Sequence, residues 1–272
     1  MSRQSEVKIR YACDVHTHTL YSRHAYSTVE ENVHMASERA IELLGITDHF
    51  SDMLYETRDI RNYQHFTNMH SWPRTWCGVK LLHGCEADIV DLKGHLYGWD
   101  TTYTHNTVGT PIKSVTLQDN VFRNCDYVIA SIHGKSFVSD ASLADTTKMY
   151  IHALENPKVL ILGHPGRAGV SFDISAVLSA ARDLHKLIEI NEHSFSDYFN
   201  AYSFCYKIAE GCAEMEVPIA VNSDAHISYD IGRFHLVSKL LDEIEFPPRL
   251  IATRSADAFL SALSLAGLDP YS

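Results

Sequence analysis

Short apolar runs that end in histidine or carboxylate recur along the whole chain. They read DVHTH (14–18), GITDH (45–49), LLHGCEAD (81–88), YVIASIH (127–133), VLILGHP (159–165), LIEINEH (187–193) and VPIAVNSDAH (217–226). A buried parallel strand reads as a short, continuous apolar run. Groups at its C-terminal edge project into the mouth of an α/β fold, where chemistry is usually placed. The pattern therefore predicts strands whose downstream ends gather metal ligands for several ions.

Helical periodicity fills the gaps. Ser27 followed by Glu30 fits a capping box, with Thr28 as the other cap candidate. Val33, Ala36, Ala40, Ile41 and Leu44 then recur at helical spacing, and Gly45 ends that helix. An aromatic helix is expected over 59–76, broken near Pro73. Further helices are expected near 142–155, 173–186, 198–215 and 230–243, with a short one near 255–266. Residues 91–113, rich in Asp, Gly and Thr, predict a hairpin or an excursion. Alternating strands and helices predict an α/β fold, a mostly parallel TIM-like barrel of about seven strands, in one domain spanning 1–272.

Composition narrows the function. The chain has 272 residues, 45% of them hydrophobic and 21% charged, which are globular values. The formal net charge of −11 argues against a nucleic-acid partner held by a basic surface. No run is long enough to span a membrane, and MSRQSEVKIR carries no signal-peptide apolar region. Six cysteines without a CxxC pair fit free thiols in a reducing cytoplasm. A homo-oligomer is compatible with all of this.

Histidine is the outlier, at 17 residues. In DVHTH, period-two alternation puts His16 and His18 on one face, able to chelate one ion. His49 closes the second strand, with Asp48 as a partner or extra ligand. Glu86 sits inside an apolar run, where an acid is costly unless it pairs or binds metal. His133 and His164 each precede a turn, and Asp224 with His226 repeats the HxH spacing. His24 follows His18 closely enough to reach the same mouth, and His193 could serve the substrate. The remaining histidines, His65 and His83 among them, read as surface or packing residues. Arg23, Arg167 and Arg233 each lie near a candidate ligand and suit an anionic substrate, because a guanidinium forks onto phosphate.

The order HxH, TDH, Glu, His, His and DxH resembles the PHP (polymerase and histidinol phosphatase) superfamily of metal-dependent phosphoesterases. DVHTHTLYSRHAYST, ITDHF, NMHSWPR, NSDAH and EFPPRLI look like its small stand-alone bacterial phosphatases. The resemblance implies a distorted (β/α)7 barrel with three divalent ions, zinc first and manganese or iron next, at its C-terminal mouth. It puts His16, His18, Glu86 and Asp224 on the first ion. Glu86 would bridge to a second, held also by His133 and His164. His24, His49 and His226 would hold the third. Asn191-Glu192-His193-Ser194 departs from the expected pattern and leaves substrate choice open.

The expected activity is hydrolysis of a small phosphomonoester by a metal-bound hydroxide, with Glu86 and Asp224 as its catalytic carboxylates and Arg23, Arg167, His193 and Arg233 toward the substrate. Three alternatives stand beside it: a phosphodiesterase or 3'–5' exonuclease, a non-catalytic metal-binding domain, and a metal-dependent amidohydrolase. The last would want a lysine at a strand end, and the nearest is Lys135, two residues past His133.

Overall fold

The computed structural model describes residues 9–196 and 201–270. Seven strands follow one another around the sheet in chain order. They are β1 (Cys13–Thr17), β2 (Leu43–Ile46), β3 (Val79–Asp88), β4 (Tyr127–Ser131), β5 (Val159–Leu162), β6 (Leu187–Asn191) and β7 (Ile219–Asn222). Each pairs in parallel with the next, as in Cys13↔Leu43, Gly84↔Tyr127 and Ile188↔Ile219. Between β7 and β1 the link is a single parallel bridge, Thr17↔Ala225. The His18 amide donates there to the Ala225 carbonyl at 2.9 Å. The sheet is thus a nearly closed barrel.

Alternation along the strands separates two layers of core. Leu82, Tyr127, Ile129, Leu187 and Ala220 fill the barrel interior with Cys13 and Val15. Gly45 in β2 leaves room for the Tyr127 side chain, which any Cβ there would strike. That hydroxyl donates to the Val15 carbonyl at 2.6 Å. Higher along the same inner faces, Glu86, Glu189 and Asn222 replace the apolar residues. The register of β1 shifts between Asp14 and Thr17. Such a bulge re-aims side chains, so Val15 joins the inner core while His16, its neighbour, still reaches the mouth.

Helices α1 (Val29–Glu38), α2 (Leu143–Glu155), α3 (Ile174–Asp183), α4 (Tyr202–Glu214) and α5 (His235–Glu243) surround the sheet. The last, α6 (Ala256–Leu265), belongs to the inner core through Phe259 and Leu263. Phe259 meets Tyr127 edge-on at a centroid distance of 5.6 Å. Among the described residues, no helix is long and apolar enough to cross a membrane.

Several expected boundaries move. The capping box of α1 is Thr28 with Glu31 rather than Ser27 with Glu30. That helix stops at Glu38, and Ala40 adopts a left-handed φ of 55°. Ile41 and Leu44 keep the helical spacing only because the turn and β2 bury them for their own reasons. The expected helix over 59–76 is instead two 3-10 turns around a one-turn helix, Gln64–Thr67, followed by a short strand, Thr75–Trp76. Residues 198–200 of the expected 198–215 helix lie outside the described residues, and α4 begins at Tyr202. The excursion is a hairpin, Thr102–His105 with Pro111–Thr116.

Candidate metal centre

The strand ends bring nine side chains into one mouth. Glu86, on the inner face of β3, sits at its centre and is fully buried. Its Oε2 lies 3.4 Å from His16 Nε2 and 3.5 Å from His18 Nε2. Asp224 Oδ1 completes that group, 3.4 Å from His16 Nε2 and 3.1 Å from His18 Nε2. The other carboxylate oxygen, Oε1, faces His133 Nε2 at 3.4 Å and His164 Nε2 at 2.7 Å. Nearer the surface, His24 Nε2 lies 3.3 Å from His49 Nε2 and 3.0 Å from His226 Nε2.

These separations test the fit to metal. A tetrahedral ion with bonds of roughly 2.0–2.1 Å has ligand atoms about 3.4 Å apart. Most of the distances match that edge and are long for hydrogen bonds. His16 Nε2 and Glu86 Oε2 are buried without a hydrogen-bond partner, although they face each other. Buried polar atoms are otherwise nearly always paired, so a donor set of this kind suits cations. Two candidate ligands also carry left-handed backbone, His164 at φ 30° and Asp224 at φ 57°. Such strain costs on the order of 1–3 kcal/mol each and clusters at functional sites.

Electrostatics follow from this crowding. Burial alone would raise the Glu86 carboxyl, but His133, His16 and His49 outweigh it and hold it well below the usual range. Asp224 behaves likewise, with Arg167 and His16 overcoming burial. Burial lowers His164 to about 4 and His24 to about 4, so both present lone pairs at neutral pH.

Behind the nine stands a shell of acceptors. His16 Nδ1 meets Glu189 Oε1 at 2.8 Å, and His133 Nδ1 meets Asp88 Oδ1 at 2.6 Å. The Asp88 carboxylate also accepts from Ser51 Oγ at 2.6 Å. His18 Nδ1 meets Ser22 Oγ at 3.0 Å, and that hydroxyl donates to Asp48 Oδ1 at 2.7 Å. Asp48 also lies 3.0 Å from His65 Nε2. Partners of this type fix the tautomer and orientation of a metal-binding imidazole. Sequence reasoning named Asp48 but missed Glu189, Asp88, Ser22 and His65. For the two acids a signal was present: Glu189 interrupts an apolar strand, and Asp88 follows Glu86 at period two.

A cavity of about 430 Å³ opens over the cluster, lined by Arg167, His193, Lys135, Met53, Ile132 and Ala168 beside the candidate ligands. Arg167 Nη2 lies 2.7 Å from Asp224 Oδ2. Arg233 borders a neighbouring cavity with Glu192 and His193, where it pairs with Asp230 at 3.4 Å and stacks on Tyr229. Glu192 accepts from the Leu236 and Val237 amides at 2.8 and 2.9 Å. Arg23 is not in the cavity: its guanidinium donates to the Leu54 carbonyl and lies over the Tyr55 ring. Lys135, weighed from the sequence only as the lysine nearest to a strand end, lines the cavity, and its ammonium sits over Gly169.

Comparison with known proteins gives a consistent picture. The model of the PHP domain family matches residues 14–196. A probable phosphatase from Clostridium acetobutylicum is 34% identical over 260 residues, 95% of this chain and 97% of that one. One from Clostridium botulinum is 36% identical over 259 residues, with the same two coverages. Among solved structures, a histidinol phosphate phosphatase from Lactococcus lactis, complexed with zinc, L-histidinol and phosphate, superposes with a TM-score of 0.56. It is 16% identical, covering 87% of this chain and 95% of its own, so the likeness is one of fold.

Proposed function

The chain belongs to the PHP domain family, whose curated relatives are named probable phosphatases, and we propose that it hydrolyses small phosphomonoesters at a centre of three divalent ions. The observation that carries this reading is the sharing of Glu86. One of its oxygens faces His16, His18 and, at 2.7 Å, His49 Nδ1, the other His133 and His164, as a carboxylate bridging two ions would. His16, His18, Glu86 and Asp224 would hold the first ion, Glu86, His133 and His164 the second, and His24, His49 and His226 the third.

When bound, such ions supply Lewis-acid charge for a phosphoryl group and a hydroxide nucleophile at neutral pH. Mixed imidazole and carboxylate donors suit zinc, manganese or iron. The protein's own part is positioning. Arg167 keeps Asp224 ionised and aimed, and its guanidinium borders the cavity where phosphate oxygens would sit. Lys135 and His193 line the same space and would meet the rest of the substrate. Met53, Ile132 and Ala168 give it an apolar wall. No thiol is needed: five of the six free cysteines are buried, and Cys77 is exposed. Free thiols throughout also support a reducing cytoplasm.

A cavity of about 430 Å³ bordered by Arg167 and Lys135 suits a terminal phosphate dianion. The test is a matched panel of phosphomonoesters and diesters assayed with metal-reconstituted protein. We expect kcat/KM for monoesters to exceed that for the matching diesters by at least about tenfold, roughly 1.4 kcal/mol in transition-state binding. Efficient cleavage of diesters or single-stranded DNA with poor monoester turnover favours the exonuclease alternative.

A further inference from the structure

We propose that Glu189 is a positioning residue of the metal centre, holding the His16 proton on Nδ1 so that Nε2 is presented to an ion. The inference rests on the metal-centre reading above. Glu189 lies in the middle of β6, where alternation puts Leu187, Glu189 and Asn191 on the inner face. It is 1% exposed, so its charge has no water to rely on.

Its two oxygens are instead saturated by protein donors. Oε1 meets His16 Nδ1 at 2.8 Å and accepts from Asn222 Nδ2 at 2.7 Å. Oε2 accepts from the His164 amide at 2.8 Å and from Asn191 Nδ2 at 3.3 Å. An ionised carboxylate accepts and cannot donate. A proton of His16 therefore sits on Nδ1, and Nε2, which faces Glu86 and Asp224 at 3.4 Å each, is the nitrogen left to meet an ion once it gives up any proton it carries. The four donors come from four places on the barrel rim, following β5 and on β1, β6 and β7. Asn191 extends the hold, donating through Nδ2 to Asp224 Oδ2 at 3.2 Å. Glu189 thus touches one candidate ligand directly, a second through its backbone and a third through Asn191.

A glutamine cannot copy this. Its amide nitrogen would face two donors whichever way it turned, leaving either His16 with Asn222 or His164 with Asn191 unmatched. Outer partners of metal-bound histidine typically matter by 10–100-fold in metal affinity.

Two measurements test the proposal with zinc as the probe. In the first, Glu189→Gln and the wild-type protein are titrated with zinc against a chromophoric chelator. One ion should bind roughly 10–100-fold more weakly in the variant, with the others within about threefold. A folded E189Q protein that binds every zinc as the wild type does, and merely melts at a lower temperature, overturns the proposal and leaves Glu189 a structural acid. A wild-type chain that takes up no zinc overturns the metal-centre reading instead. The second measurement needs no variant, so a failure of E189Q to fold does not block it. Nitrogen-15 spectra of the zinc-loaded, histidine-labelled wild type should show His16 as the Nδ1–H tautomer, and an Nε2–H tautomer contradicts the proposal.

Discussion

Arg167 and Asp224 form a buried pair, with Nη2 2.7 Å from Oδ2, while the other oxygen of Asp224 faces His16 and His18. One carboxylate is thereby divided between a permanent cation and the candidate metal donors. Removing one partner of a buried ion pair strands the other. Arg167→Lys keeps the charge but loses the planar fork that fixes the carboxylate. Steady-state kinetics should show kcat/KM lowered by at least about tenfold, or roughly 1.4 kcal/mol. Turnover within a factor of two of wild type would mean that Asp224 is held without Arg167.

Glu86 is the sharper case. Glu86→Gln preserves volume and removes the charge that serves two groups of histidines at once. Activity should fall by about a thousandfold or more, about 4 kcal/mol, with at least one ion lost and the circular-dichroism spectrum retained. Near-normal turnover with full metal content would reduce Glu86 to a core acid.

His83 links stability to pH outside the centre. It is buried beside Trp72, at a ring distance of 5.2 Å, and burial together with Arg74 lowers it to about 4 from the usual 6.5. The folded state therefore favours its neutral form. A depressed histidine contributes stability that is fully present above pH 6.5 and is lost as pH falls toward 4, because the unfolded chain takes up the proton first. Denaturant titrations across that window should give a shallower loss for His83→Gln than for wild type. Parallel slopes would show that the imidazole is not held neutral by the fold.

What the sequence revealed and what it concealed have separate physical causes. His16, His18, Glu86, His133, His164, Asp224 and His226 were legible because each ends or interrupts a strand-like apolar run, and strand period and edge placement are local properties. Helices α2 and α6 were legible for a similar reason, with Ser142 and Ser255 accepting from first-turn amides at each start. The end of α1 was not, since Ile41 and Leu44 fit a helical stripe as well as they fit a turn and a strand. His65 reaches Asp48, and Glu189 reaches His16, across 17 and 173 positions of chain. Spacing carries no trace of such contacts. Arg23 looked suitable by proximity in sequence, but its positive φ of 64° and its bond to the Leu54 carbonyl turn it from the cavity.

The count of ions bears on the central claim most directly. His24 and His226 supply donors apart from the Glu86 groups, and His49 turns Nε2 toward His24 while its Nδ1 lies 2.7 Å from Glu86 Oε2, so the account requires a third position beside the bridged pair. Elemental analysis of the protein after reconstitution and removal of free metal should approach three divalent ions per chain, with phosphatase activity rising as they load. A protein fully loaded and fully active with a single ion would contradict the account.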